Sequence, residues 1–362
     1  MVRVTVPVPG RAYEVTIGPG VLAEAAQHLA LPSSASVTFV VSDRTVSDLW
    51  FDPLAASLRG AGVSAVLLTV PEGEDAKSLQ AYGTLVRQLA GREAHRDDPI
   101  VALGGGSVGD LAGFVASTYM RGVPCLQIPT TLTAQVDAAI GGKTAINLPE
   151  GKNLVGTFSQ PRGVLVDLEV LKTLDDRSYR SGLAEIAKIA LTLDLELLAA
   201  LERDPRPIVE RDPAALEDAV TRCVSAKARI VAEDERDAGA RLVLNYGHTL
   251  GHALERLDAF AGRTHGEAIA LGMVFAARLA ESRGRATGLV ARTARLLSSL
   301  GIDASSALPP AEDVLAAIRM DKKYRGGVRW VLLDEPGRPR VVDDVSEDEV
   351  RMVLEAIGGS RA

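Results

Sequence analysis

Short, continuously apolar runs punctuate the first half of the chain: SVTFVVSD (36–43), SAVLLTVP (64–71), PIVALGGG (99–106), VPCLQIPTT (123–131) and GVLVDL (163–168). Segments with helical spacing separate them. Strands apolar on both faces need cover on both sides, and their alternation with helices is the pattern of a parallel α/β sheet. The opening MVRVTVPVPGRAYEVTIGPG alternates apolar and polar positions, which predicts a pair of half-buried strands. Near residue 178 the period changes. Apolar positions then recur at helical spacing over about 180–202, 213–233, 246–258, 266–284, 287–300 and 311–320, broken by DPRP, DAGAR and RGRAT. A short strand pair, VRWVLLD and RPRVVDD, precedes a last helix opened by the capping box Ser346 to Glu349. The expected fold is an α/β N-terminal domain with a Rossmann-like parallel sheet, residues 1–178, followed by a mostly α-helical C-terminal domain, residues 179–362.

Composition narrows the function classes. At 362 residues and 47% hydrophobic, the chain can bury about two cores. A net charge of -7, with no stretch that interleaves aromatics with Lys and Arg, argues against a nucleic-acid surface. Any anionic ligand must therefore be met by a local cluster of cations. The longest apolar run, AIALGMVFAA (268–277), is too short to cross a bilayer and is flanked by Glu267 and Arg278. The N-terminal stretch lacks the apolar core of a signal peptide. Cys125 and Cys223 form no CxxC pair, which favours a reducing compartment. These features predict a cytoplasmic protein with no membrane or nucleic-acid partner.

Several stretches carry candidate chemistry. The run GGGSVGD, Gly104 to Asp110, follows a strand and opens a helix, where glycines let a pyrophosphate approach the backbone and the helix N-terminus supplies positive potential. It departs from the full dinucleotide fingerprint, because the next strand ends IPTT and not in an acidic residue. GGKT (141–144) is not a P-loop, since Asp137 stands where the first glycine of that motif belongs. Two lysine-bearing loops follow, GGKTAIN with Lys143 and PEGKNLVG with Lys152 and Asn153. Lys188, Lys227 and Arg241 sit in otherwise apolar segments, and Lys322 and Lys323 in RMDKKYRG. Cations among core residues are costly unless something anionic meets them, which points to an anionic ligand. His248, His252 and His265 are three of only five histidines and fall within 18 residues. Neutral imidazole is the commonest metal ligand, and Glu185, on an apolar helical stretch three residues before Lys188, is a candidate carboxylate partner. The pair at i, i+4 in LNYGHTLGHALE is open to two readings, both histidines on one metal or helix-face residues that only hydrogen-bond. It is not HExxH, which places the glutamate inside the pair, and this argues against a metalloprotease.

Taken in order, PEGEDAK, GGGSVGDLAGF, YMRG, PTTLTAQVDAAIGGKTAIN, GKNLVG, SGLAEIAK, LNYGHTLGHALE, HGEAIALGM and DKK resemble the 3-dehydroquinate synthase family of the sugar phosphate cyclases, over nearly the whole chain. That resemblance implies a two-domain, dehydroquinate synthase-like fold, NAD, and a divalent metal, usually zinc with cobalt as a substitute. It implies metal ligands Glu185, His248 and His265, which leaves His252 to the substrate pocket. NAD is expected on Gly104, Gly105, Gly106, Ser107, Val108, Gly109 and Asp110, and on the turn Glu72, Gly73, Glu74, Asp75, Ala76 and Lys77. Thr130, Thr131, Lys143, Lys152, Val170, Leu171, Lys172 and Thr173 are also implied, with Asp43 as a further contact. Lys143, Lys152, Asn153, Lys188, Lys227, Arg241, Asn245, Lys322 and Lys323 would hold the phosphate and carboxylate of the substrate, with Asp137 near the reacting carbons. His252 and Asn245 are implied members of a proton relay, and Arg121 of YMRG would reach a neighbouring subunit's site, so a homodimer is expected.

The activity so implied is conversion of 3-deoxy-D-arabino-heptulosonate 7-phosphate to 3-dehydroquinate and phosphate, the second step of the shikimate pathway. NAD is regenerated at each turnover, so the class is lyase. Ile189 and Ala190 follow Lys188 where the family often has an aromatic residue, and Ser107 stands where a different small or aliphatic residue is common. These departures leave two siblings open, an aminodehydroquinate synthase and a 2-deoxy-scyllo-inosose synthase. A metal- and NAD-dependent polyol or alcohol dehydrogenase of related fold is a further alternative, as is a non-catalytic scaffold.

Overall fold

Nine strands form in the N-terminal part of the computed structural model, seven of them on the apolar and alternating runs of the sequence; the structure describes residues 1–258, 262–320 and 328–359. In chain order they are β1 (Val2–Val6), β2 (Tyr13–Gly18), β3 (Val37–Asp43), β4 (Ser64–Val70), β5 (Ile100–Gly104), β6 (Cys125–Pro129), β7 (Lys143–Leu148), β8 (Gly151–Phe158) and β9 (Gly163–Asp167). Seven of them form one sheet in the order β1-β2-β9-β6-β5-β3-β4, with β1 antiparallel to β2 and the remaining neighbours parallel. Alternate residues of the central strands feed two cores. Phe39, Val41, Ile100 and Ala102 pack with Leu85, Leu89, Leu111 and Val115 from helices Leu79–Gly91 and Gly106–Thr118. Val40, Val101, Leu103 and Leu126 point the other way, to Leu54 and Leu58 of helix Arg44–Gly60. Cover on both faces is why these strands read as unbroken apolar runs.

The connection from β3 to β4 runs to one side of the sheet, while β5, β6 and β9 follow on the other. The order therefore reverses between β3, which ends at Asp43, and β5, which ends at Gly104. In open α/β sheets a ligand lies outside the carboxyl ends of the strands at such a reversal. β7 and β8 form a separate antiparallel hairpin over the segment that the sequence presents as two lysine-bearing loops. Their apolar positions are few and interrupted by glycine and lysine, so the strand period is masked.

Two compact units emerge. Met1–Asp175 is joined by Pro213–Arg236, and Asp176–Asp212 groups with the described residues after Arg236. The sequence draws a single boundary near 178; the chain instead returns to the first unit, where helix Pro213–Glu233 packs on β1, β2 and the turn Ala134–Ala138. The second unit is helical, with Asp176–Thr192, Leu195–Arg203, His248–Leu257, His265–Ser282, Leu289–Ser299, Ala311–Arg319 and Glu347–Gly359. The strand pair is present as β10 (Trp330–Leu333) and β11 (Pro339–Val342), antiparallel. One predicted helix, 180–202, is two: Asp194 accepts a hydrogen bond from the Leu197 amide at 3.0 Å and caps a new start. The last helix opens with the expected reciprocal bonds between Ser346 and Glu349, at 2.8 and 3.2 Å. Among the described residues no helix is long and apolar enough to cross a membrane.

Candidate active site

Glu185 lies mid-way along helix Asp176–Thr192, with about 1% of its surface exposed. Its Oε1 is 3.0 Å from Nε2 of His265 and 3.6 Å from Nε2 of His248, while Oε2 meets the Lys188 ammonium at 2.5 Å. Each of the three residues Glu185, His248 and His265 offers a ligand atom, and these atoms all lie within 4.8 Å of one another. His248 is the first residue of its helix and His265 the first of the next. Two close backbone approaches draw the helices together. A Cβ on Gly266 would stand 2.3 Å from the Ser181 Cα, and one on Gly272 would stand 1.8 Å from the Gly247 carbonyl oxygen. Only hydrogen fits at either place. The Gly266 amide donates to Ser181 Oγ at 2.8 Å, which ties the helix carrying His265 to the helix carrying Glu185.

The start of helix His265–Ser282 is held independently. Thr264 accepts from the Glu267 amide while Glu267 accepts from the Thr264 amide, a complete capping box. Arg177 grips Glu267 with bonds of 2.9 and 2.8 Å.

The ring nitrogens are sorted by their outer contacts. Nδ1 of His248 lies 3.2 Å from the Tyr246 carbonyl, so it donates there and presents the Nε2 lone pair to the centre. Nδ1 of His265 lies 3.5 Å from Oε1 of Glu255, a buried carboxylate. Burial holds His248 well below its ordinary value, assisted by the Lys188 charge. Burial also pushes His265 down, but its bonds to Glu185 and Glu255 outweigh this and raise it to about 10. A metal entering the site must displace that proton. One carboxylate and two imidazoles with converging lone pairs and anchored outer nitrogens suit zinc or cobalt with a coordination position left open.

His252 stands outside this trio. Its ring lies 5.3 Å from that of His248 and 6.4 Å from that of His265, centroid to centroid, and it lines a cleft with Asn245, His248, Thr249 and Arg329. Neither shared ligation nor hydrogen bonding alone describes the i, i+4 pair: His248 converges with Glu185 and His265, while His252 lies on the cleft wall, the division that the resemblance implies. Lys188 and Arg241 are buried in the second unit. Lys322 and Lys323 lie outside the described residues.

In the first unit the glycine turn sits at the sheet's reversal point. Gly105 precedes helix Gly106–Thr118 without a side-chain cap, so the first amides remain available to an anion. Asp43, which caps helix Arg44–Gly60 through the Val46 amide at 2.9 Å, is the acidic residue at this edge. Lys77 joins Asp110 and Asn153, both at 2.5 Å. Burial pushes the Asp110 carboxyl up, against the pull of Lys77. Glu74 accepts from Asn147 at 2.7 Å and from Ser107 at 3.3 Å, and lies 3.8 Å from the Lys152 ammonium. Glu74, Lys77, Ser107, Asp110, Lys152 and Asn153 thus meet in one network, together with Asn147, which also receives the Asn153 amide at 2.9 Å. Thr130 and Thr131 follow β6, the Thr130 amide donating to the Gly104 carbonyl at 3.0 Å. Lys143 begins β7 at the surface. Glu72, Gly73, Asp75, Lys172 and Thr173 are on short turns beside the sheet, whereas Ala76, Val108, Val170 and Leu171 are core side chains that can offer only backbone to a ligand.

Asp137 occupies a single π-helical turn, Ala134–Ala138, and its carboxylate and carbonyl both receive the Lys227 ammonium, at 2.8 and 2.5 Å. π-Helical turns are frequent at functional sites. Arg121 is apart from all of these, on the exposed turn that ends the helix begun by the glycine run, with its backbone in the left-handed region at φ 66°. Three buried residues escaped the sequence analysis: Glu255, Gln127, which donates to the Gly109 carbonyl at 3.2 Å, and Gln135, which donates to the Pro129 and Asp167 carbonyls. The burial cost of an unpaired Glu255, which closes the LNYGHTLGHALE stretch, was the available signal.

Known proteins share this arrangement of sequence. A family model described as the 3-dehydroquinate synthase N-terminal domain matches residues 67–181, and its C-terminal counterpart matches 182–324. The chain belongs to the 3-dehydroquinate synthase family. A 3-dehydroquinate synthase of Geobacter metallireducens is 44% identical over 334 residues, 92% of this chain and 93% of the relative. Among solved structures, a 2-epi-5-epi-valiolone synthase from Streptomyces hygroscopicus with NAD+ and Zn2+ bound superposes with a TM-score of 0.87 at 30% identity, covering 96% of this chain and 97% of that one. A 2-deoxy-scyllo-inosose synthase complexed with carbaglucose-6-phosphate, NAD+ and Co2+ gives 0.85 at 28% identity, covering 98% and 99%.

Proposed function

We propose that the protein is a 3-dehydroquinate synthase, a phosphate lyase and cyclase that turns 3-deoxy-D-arabino-heptulosonate 7-phosphate into 3-dehydroquinate and inorganic phosphate in the shikimate pathway. The observation that carries this reading is the convergence of Glu185, His248 and His265 on one point in a chain whose curated relative at 44% identity bears that name. Glu185, His248 and His265 would hold the divalent metal, and the turn Gly104–Asp110 with Glu74, Lys77 and Asp43 the NAD. When bound, the metal acidifies adjacent substrate hydroxyls and NAD accepts and returns a hydride.

The side chains of the protein bind, orient and neutralise. Lys152, Asn153 and Lys143 supply cations and an amide for the substrate's phosphate, and Lys188, Arg241 and Asn245 for its carboxylate and hydroxyls. Asp137, held by Lys227, orients the substrate near the reacting carbons. His252 and Asn245, on the cleft wall beside His248, serve proton movement during ring opening and aldol closure. The protein's own contribution is positioning and charge stabilisation around a phosphate that leaves. Arg121 acts in the site of a second copy, which makes the active form a homodimer. The buried cysteines Cys125 and Cys223, neither in a disulfide, suit a reducing cytoplasm.

Purified protein should release inorganic phosphate from the heptulosonate phosphate with no net absorbance change at 340 nm. Release from glucose 6-phosphate or from the amino analogue in preference would assign a sibling cyclase. Stoichiometric NADH without phosphate would assign a dehydrogenase.

A further inference from the structure

We infer that Glu255 is a positioning residue of the metal centre, setting the tautomer and direction of the His265 ring. The inference rests on Glu185, His248 and His265 being that centre. Glu255 lies on the same face of helix His248–Leu257 as His248 and His252, at offsets of seven and three residues, and only about 7% of it is exposed. A carboxylate buried to that degree is costly unless cations or N–H donors face it. Its Oε1 is 3.5 Å from Nδ1 of His265, on the side of the ring opposite Nε2, which is 3.0 Å from Glu185. The His265 ring is thus clamped between two carboxylates, one on each nitrogen.

The consequence follows from imidazole chemistry. Neutral histidine has one N–H and one lone pair, and only the lone pair binds a metal. With Glu255 accepting from Nδ1, the lone pair is confined to Nε2, the atom that faces Glu185 and His248. Negative charge on the outer nitrogen also makes Nε2 a better donor, the role that a carboxylate behind a ligating histidine plays generally. His248 is served in the same way by the Tyr246 carbonyl, a neutral group, at 3.2 Å. His265 needs the stronger hold because about 30% of its side chain is exposed, against 10% for His248, so packing restrains its ring less.

Zinc affinity measured by chelator competition, with the visible spectrum of the cobalt-loaded protein as a second readout, tests this. Glu255→Ala should weaken zinc binding roughly ten- to a hundred-fold and alter the cobalt bands. Glu255→Gln, which keeps shape and an acceptor but not charge, should fall between Ala and the parent. Circular dichroism of the metal-free proteins serves as the folding control, and if the Ala variant does not fold the Gln variant decides. Unchanged zinc affinity and cobalt spectrum in a folded variant would overturn the role of Glu255. A parent protein that binds no zinc, or binds it equally well with His248→Ala, would instead overturn the metal centre itself.

Discussion

Glu185 has two oxygens with different tasks, one toward the imidazoles and one toward Lys188, both in a nearly solvent-free place. Removing it therefore does more than delete a ligand. Glu185→Ala should abolish metal content and also cost about 3–5 kcal/mol, because Lys188 is left as a buried charge without its carboxylate. His265→Ala should lose metal and activity with far less loss of stability. Metal analysis and urea melts of the two variants check this, and full zinc in either would remove that residue from the centre. Lys152, by contrast, is partly exposed beside Glu74. Lys152→Ala should raise the substrate KM roughly ten- to a hundred-fold, the value of a charge-assisted bond, and leave stability within about 0.5 kcal/mol; unchanged KM and kcat would take it out of the site. The sequence could point to Glu185 because a carboxylate amid helix-core residues demands a partner. Spacing alone did not say which histidines answer, since i, i+4 places His248 and His252 on one face; it was the family resemblance that named His248 and His265.

Helices bring these groups to one place only because they approach more closely than ordinary side chains permit. Gly266→Ala would drive a methyl to within 2.3 Å of the Ser181 backbone, so the helices carrying Glu185 and His265 must separate. A loss of about 1–3 kcal/mol or more is expected, together with weaker zinc binding although no ligand is altered; parental melting and zinc affinity would show that the helices adjust freely. The capping box has a pH signature. Hydrogen bonding to Arg177 keeps the Glu267 carboxyl below the ordinary glutamate range. A carboxylate depressed in the folded state contributes stability above its unfolded value, and that contribution is lost as pH falls through the folded value. Glu267→Gln should then be less stable than the parent near neutrality, by up to about 1 kcal/mol for a partly exposed pair, and the gap should close in acid. Denaturation at several pH values measures the gap, and one that stays constant would assign the effect to shape, not charge. At this scale the sequence was informative where period and caps agree, as for β3, β5 and the final helix, and silent where they conflict. Helical spacing ran through Asp194 because apolar residues continue on both sides, yet a side chain that bonds its own third following amide starts a new helix.

Across the whole molecule the chain crosses from one unit to the other more than once. Helix Pro213–Glu233 carries Lys227 back to the first unit, where it meets Asp137 at 2.8 Å, although its sequence neighbours belong to the second. Arg121, at the far end of the helix opened by the glycine turn, is the residue proposed to act in the site of a second copy. Arg121→Ala should be nearly inactive alone and recover part of its activity when mixed and re-equilibrated with a His265→Ala variant, since a hybrid dimer restores one complete site. Activity of the mixture no higher than the sum of the separate variants would argue against a shared site.

Local period, turn residues and the cost of burying charge are properties of the chain itself, and they sufficed for the parallel sheet, the helical region, the glycine turn and the roster of polar groups that must be paired. Which of those groups pair is a matter of distance between segments far apart in sequence. Only packing could decide that Glu255 stands behind His265 and that the loops around Lys143 and Lys152 form a hairpin. Such contacts depend on how closely backbones can approach, as at Gly266 and Gly272, and no one-dimensional pattern encodes that distance.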